Sequence, residues 1–231
     1  DERSRPPFLE LDPLPRGFDW SSLLTRSDEA LLEHYEKILR RLGRRTDLFG
    51  MIYKNALSKF RDPGKFQRLV VEIGSVEWSL YDSDVKGLAY EGLLEKTAAE
   101  SKAGAGQYFT PRPLVDAVAE VMQICPGETV CDPACGTGGF LLAAYRRVSA
   151  LRLTKAQRHH LTHKALRGVE LVDAVARLCL MNLVLHGVGG QVSPVAVRDA
   201  LEGKPEETFD VVLANPPFGR KSGGVTPSES G

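Results

Sequence analysis

The sequence predicts an α/β protein: a helical front of roughly a hundred residues, then a doubly wound, mostly parallel sheet. Three observations carry that expectation. Apolar residues in the first part recur at spacings of three and four, the period of helices that bury one face. From residue 111 onward, short apolar runs alternate with helical stretches, as in right-handed βαβ units. A glycine-rich segment, Asp132–Phe140, falls between one such run and the helix that follows, at the strand end where parallel sheets bind ligands.

The front begins at Ser27-Asp28-Glu29, an N-cap followed by an acidic first turn. Leu31, Leu32, Tyr35, Ile38, Leu39 and Leu42 then form one apolar stripe, and Gly43 reads as its stop. A second helix is expected over Asp47–Phe60 and a third over Pro63–Trp78, with proline at a tolerated N-terminal position. A fourth spans Asp84–Ser101. Arg40, Arg41, Arg44 and Arg45 place four guanidinium groups on one helical surface, either a solvated face or a grip for phosphates or a partner. Lys102–Gly106 breaks the period and reads as a linker, so domains are expected at 1–101 and 102–231. Beyond it come a helix over Pro111–Gln123, a strand Thr129–Asp132, a helix Gly139–Val148 and an extra helix around Thr154–Ala165. A strand Leu166–Glu170, a helix Val172–His186 and strands Val192–Arg198 and Phe209–Ala214 complete the series. The last strand is apolar enough to be buried on both faces. Gly219–Gly231 reads as a flexible tail.

Composition narrows the class. Of 231 residues, 42% are hydrophobic and 26% charged, an ordinary globular balance. Lys+Arg and Asp+Glu both number 30, and the pI near 7.1 excludes a surface that is one continuous polyanion-binding field. No apolar run reaches the roughly 18–20 residues of a membrane span, and Asp1–Pro15 lacks a signal-peptide core, so a cytoplasmic, soluble protein is expected. The 4 cysteines, Cys125, Cys131, Cys135 and Cys179, are too few for a disulfide scaffold and lack zinc-site spacing. They read as reduced thiols, and no metal site is expected.

The chemistry-bearing residues sit at strand ends. In Asp132-Pro133-Ala134-Cys135-Gly136-Thr137-Gly138-Gly139-Phe140 the glycines let backbone approach a ligand, and the next helix offers free N–H donors. The spacing matches neither the dinucleotide fingerprint nor a phosphate-binding loop. A carboxylate at Asp132 repels a pyrophosphate but suits a cation, which favours S-adenosylmethionine, with its ammonium and sulfonium, over a tight structural turn. Glu170 ends the second strand, where an acidic residue accepts ribose hydroxyls, or is simply favoured by the helix dipole. Asp199 ends the third strand and reads as an acceptor for an adenine amino group or as a plain turn residue. Asn215-Pro216-Pro217-Phe218 follows the fourth strand: two prolines remove N–H donors and leave carbonyl acceptors, to which Asn215 adds its own. Acceptors around an exocyclic amine make its nitrogen nucleophilic, and Phe218 offers a face for a base swung out of a duplex. Gln107-Tyr108-Phe109-Thr110-Pro111-Arg112 reads as a wall of the cofactor site, with Thr110 and Pro111 also a plain N-cap and first-turn pair.

Taken in this order, Gly106–Arg112, Asp132–Phe140, Glu170 and Asn215–Phe218 resemble the amino-methylating adenine-N6 DNA methyltransferases. They are most similar to the modification subunit of type I restriction-modification systems. The resemblance implies a Rossmann-like methyltransferase sheet behind a helical domain. It also implies that Gln107, Tyr108, Phe109, Thr110, Pro111, Arg112, Thr137, Gly138, Gly139 and Glu170 bind S-adenosylmethionine, and the positions of Asp132, Gly136 and Asp199 add these three to the expected cofactor site. Asn215, Pro216, Pro217 and Phe218 then hold the target adenine. Double-stranded DNA, a separate specificity subunit and a restriction subunit are the partners it implies, without a membrane. Family members continue for a few hundred residues past the Asn-Pro-Pro-Phe motif, so this chain is expected to be a fragment lacking the rest of the fold. Two other readings stay open: a methyltransferase of an RNA base or a protein glutamine, and a non-catalytic assembly or DNA-clamping subunit.

Overall fold

The computed structural model describes residues 14–81, 83–100, 110–202 and 207–217, the backbone alone at 79, 83, 84 and 98–100. The expected linker Lys102–Gly106 and tail Gly219–Gly231 lie outside the described residues.

In the front, α1 (Trp20–Leu24), α2 (Asp28–Leu42) and α4 (Pro63–Gly74) close a small core around Leu23, Leu31, Ile38, Leu42, Phe66 and Val70. Aspartates start two of these helices: Asp19 accepts from Ser22 N–H at 2.9 Å and Asp62 from Lys65 N–H at 3.0 Å. Ser27 precedes α2 but makes no side-chain cap bond. Gly43 stops α2 where expected, capping it with an ordinary right-handed φ of −66° and not in the left-handed region. It is needed for a close crossing: a Cβ there would lie 2.5 Å from the Tyr53 carbonyl oxygen of α3 (Leu48–Tyr53). α3 stops seven residues before the expected Phe60, because the chain turns through Asn55 at φ 56° and leaves Leu57 82% exposed. α4 likewise ends at Gly74, and Trp78–Leu80 forms a separate single 3-10 turn. The four arginines do not share one helical face. Arg40 and Arg41 ride on α2, whereas Arg44 and Arg45 follow it, and Arg45 folds inward onto Asp47 and over the Phe49 ring.

The second part is a parallel sheet. α5 (Ser83–Glu100) and α6 (Arg112–Val121) precede β1 (Val130–Asp132), α7 (Gly139–Ser149), α8 (Lys155–His163), β2 (Leu166–Glu170), α9 (Asp173–Leu185), β3 (Val195–Val197) and β4 (Val211–Val212). The strand order is β3-β2-β1-β4, every pairing parallel, with Asp132 opposite Gly168 and Glu170 opposite Val197. The expected extra helix is α8, opened by a capping box at Thr154 and Gln157. β3 and β4 are shorter than expected. The last strand is not buried on both faces either: Val211 and Leu213 are buried while Val212 is 58% exposed. α7 packs on β1 and β2 and α9 on β2 and β3, and the core they share takes in Val211 and Leu213, so the alternation of a strand leaves Val212 on the uncovered side. The main core runs from Val130, Leu166 and Val195 through Leu141 and Leu183, and it also takes in Leu48 and Ile52 of α3. No described helix is long and apolar enough to cross a membrane.

Candidate active site

Because the sheet is parallel, the loops after all four strands leave from one edge. The loop after β1 is the most tightly built. Gly136 and Gly138 take φ values of 54° and 89°, in the left-handed region that side chains disfavour, and Gly138 is the N-cap of α7. The loop lies flat on β2: Cys135 N–H donates to the Val169 carbonyl at 3.0 Å, and a Cβ at Gly168 would come within 2.8 Å of Cys135 Sγ. From the other side α9 closes on it, with Cys179 Sγ 3.9 Å from Cys135 Sγ and both thiols buried and free. Contact with Cys135 and burial hold the Cys179 thiol well above its usual range, so it stays protonated.

Two carboxylates frame this loop. Glu170 accepts from Gly136 N–H through Oε2 at 3.0 Å and from Val172 N–H through Oε1 at 2.9 Å. Each oxygen keeps a further lone pair. Asp132 is 2% exposed and accepts from Ala134 N–H at 3.0 Å. Burial raises its pKa to about 7; the Ala134 bond opposes that rise and the Glu170 charge adds to it.

The loop after β4 brings Asn215, half-buried, beside the start of α6. Its Nδ2 donates to Thr110 Oγ1 at 2.9 Å, which leaves Oδ1 as an acceptor, and Pro216 and Pro217 are exposed. The Thr110 hydroxyl is therefore not an N-cap. Pro111 holds the cap position of α6, and the hydroxyl serves Asn215 instead. Arg112 does not present a free charge: it pairs with Glu91 of α5, a buried carboxylate that also meets Arg146 Nη1 at 3.3 Å. Arg146 Nη2 reaches Asp116 Oδ1 at 2.8 Å, so the ion-pair cluster ties α5, α6 and α7 together. Asp199 lies two residues past β3, where its carboxylate accepts from Leu201 N–H at 2.9 Å and shapes the turn.

Thr110, Arg112, Thr137 and Gly139 line one cleft with Glu91 and Asn182. Gln107, Tyr108, Phe109 and Phe218 lie outside the described residues. Sequence reasoning missed Glu91, Arg146 and Asn182. Asn182 had a signal, being the one amide in the apolar run Leu178–Leu185. The ion-pair cluster had none, because its members come from three separate helices. Among the described residues no cluster of His, Cys, Asp or Glu is arranged to hold a metal ion.

A family model described as N-6 DNA Methylase matches residues 81–229. The StySPI type I restriction enzyme methylase subunit of Salmonella potsdam is 36% identical over 229 residues, covering 93% of this chain and 43% of that protein. A solved structure of a type I restriction-modification system superposes with a TM-score of 0.72 at 26% identity, over 92% of this chain and 46% of that one. A modification subunit of a type I restriction enzyme from Vibrio vulnificus gives 0.65 at 28% identity, over 79% of this chain and 40% of its own. The chain thus spans less than half the length of these relatives.

Proposed function

The chain belongs to the N-6 DNA methylase family, and from that premise we propose that it carries the reaction centre of a type I modification subunit. The reaction is transfer of the methyl group of S-adenosylmethionine to N6 of adenine in DNA, in the cytoplasm. The observation that carries this reading is the Asn215–Thr110 hydrogen bond. It joins the Asn-Pro-Pro loop after β4 to the wall of the cleft beside the glycine loop, on the neighbouring strand β1.

The residues present fit the cofactor. The left-handed glycines leave backbone exposed to a ligand, Glu170 keeps lone pairs for ribose hydroxyls, and a buried acceptor on Asn182 faces the cleft. Gly136–Gly139 and Asp132 then surround the nucleoside and methionine parts, and Asp199 takes the adenine amino group. When bound, S-adenosylmethionine supplies an electrophilic methyl on sulfur. Asn215 Oδ1 and the Pro216 carbonyl accept the N6 hydrogens of the target adenine. They draw the amine lone pair out of conjugation and toward the methyl, so that orientation and electrostatics do the protein's share. Phe218 stacks on the flipped base and Pro217 stiffens the loop. Residues 1–101 serve as a helical domain and 102–231 as part of the methyltransferase domain. A separate specificity subunit chooses the DNA site, a reading that rests on the likeness to type I methylase subunits; arginines that grip phosphates carry no sequence information directly.

Transfer of labelled methyl from S-adenosylmethionine, with DNA, RNA and protein offered to the full-length protein and its partners, tests this reading. The expected product is N6-methyladenine in DNA. Label in RNA or in glutamine contradicts the substrate, and bound cofactor without any transfer contradicts catalysis and leaves an assembly role.

A further inference from the structure

Asn182 sits in the middle of α9, 2% exposed, and its side chain is half used. Nδ2 donates to the Thr137 carbonyl of the glycine loop at 3.0 Å. Because that partner is an acceptor, the amide orientation is fixed, and Oδ1 points away from the loop carbonyl. Among the described residues Oδ1 has no hydrogen-bond partner. A buried acceptor without a donor is costly, and a ligand seated in the cleft beside it would remove that cost. Asn182 also lines the cleft it shares with Thr110, Thr137 and Gly139.

We propose that Asn182 Oδ1 is the acceptor for the α-ammonium of the bound cofactor, while Nδ2 sets the glycine loop that holds the rest of it. This rests on the cofactor reading above. An amide oxygen takes only a donor, and the methionine part of S-adenosylmethionine has one N–H donor group, the ammonium. Of the charges around the cleft, Arg112 and Arg146 are paired with Glu91, and the Glu95 carboxylate adds a negative charge that suits an ammonium. One side chain thereby couples loop geometry to recognition of the amine.

The test is calorimetry on the full-length protein with two ligands, S-adenosylhomocysteine and its analogue in which hydrogen replaces the α-amino group. The parent is expected to bind the aminated ligand about ten- to a hundredfold more tightly. In Asn182→Leu that preference shrinks by about fivefold or more, whereas a merely structural role weakens both ligands alike and leaves the preference unchanged. Asn182→Gln keeps both the donor and the acceptor and is expected to retain the preference, which holds the test open if the leucine variant does not fold. An unchanged preference in Asn182→Leu, or parity in Asn182→Gln, overturns the assignment alone. A parent that binds neither ligand overturns the cofactor reading, and this inference with it.

Discussion

The loops that follow β1 and β4 leave adjacent strands of one sheet, yet they are built in opposite ways. The glycine loop is pinned at several points: Gly136 to Glu170, Cys135 to Val169, Thr137 to Asn182, with Gly168 leaving it room to lie on β2. The Asn-Pro-Pro loop is tied by the side chain of Asn215 to Thr110, and both prolines stand exposed. A site that binds a small ligand of fixed shape gains from a backbone set in advance. A site that receives a base delivered by another macromolecule needs acceptors held at an open edge. The difference teaches that the two halves of the proposed reaction centre can be disabled separately.

The largest effect expected is on chemistry. Asn215→Ala removes an acceptor needed as charge develops on N6, so single-turnover methylation by the full-length protein should fall about 100- to 1,000-fold. Glu170→Ala strikes the other half. It frees Gly136 N–H and removes the acceptor for the ribose, so affinity for S-adenosylmethionine should drop about ten- to a hundredfold in calorimetry.

Asp132 sharpens the comparison through pH. Its carboxyl is raised from 3.8 to about 7, chiefly by burial, so the folded chain holds a proton that the unfolded chain has released. Stability is therefore lost as pH rises from about 4 through about 7. Asp132→Asn should abolish that loss, raising the melting temperature by several degrees at pH 8 and by less at pH 5. The smallest effect is expected at Thr110→Val, which removes one neutral hydrogen bond of about 1 kcal/mol from Asn215. Turnover should fall about fivefold, measured as kcat.

The parts legible in the sequence are those written in local pattern. The glycine loop stands between an apolar run and a helix, and the strand expected at Leu166–Glu170 is β2 with the same bounds. Lengths set by tertiary contacts were not legible. Ala56 and Leu57 look helical, but α3 ends at Tyr53, where its carbonyl crosses close to Gly43. Thr110 reads as a cap until Asn215, 105 residues away, claims its hydroxyl. Arg112 reads as a wall of the cofactor site and does line the cleft, and only packing of α5 on α9 with α6 against α7 reveals that Glu91 pairs with it there. For Asn215 itself, the residue is readable and its partner is not: Thr110 is 105 residues away in the chain.

The central claim is that the glycine loop, which holds the cofactor, is pinned independently of the Asn-Pro-Pro loop, which meets the cleft at its Thr110 wall. Calorimetric titration of S-adenosylhomocysteine into full-length Asn215→Ala tests it most directly. Affinity within about twofold of the parent is predicted, since Asn215 is bound to Thr110 and not to the glycine loop. A tenfold or greater loss would contradict the account, because it would make the two loops one coupled site.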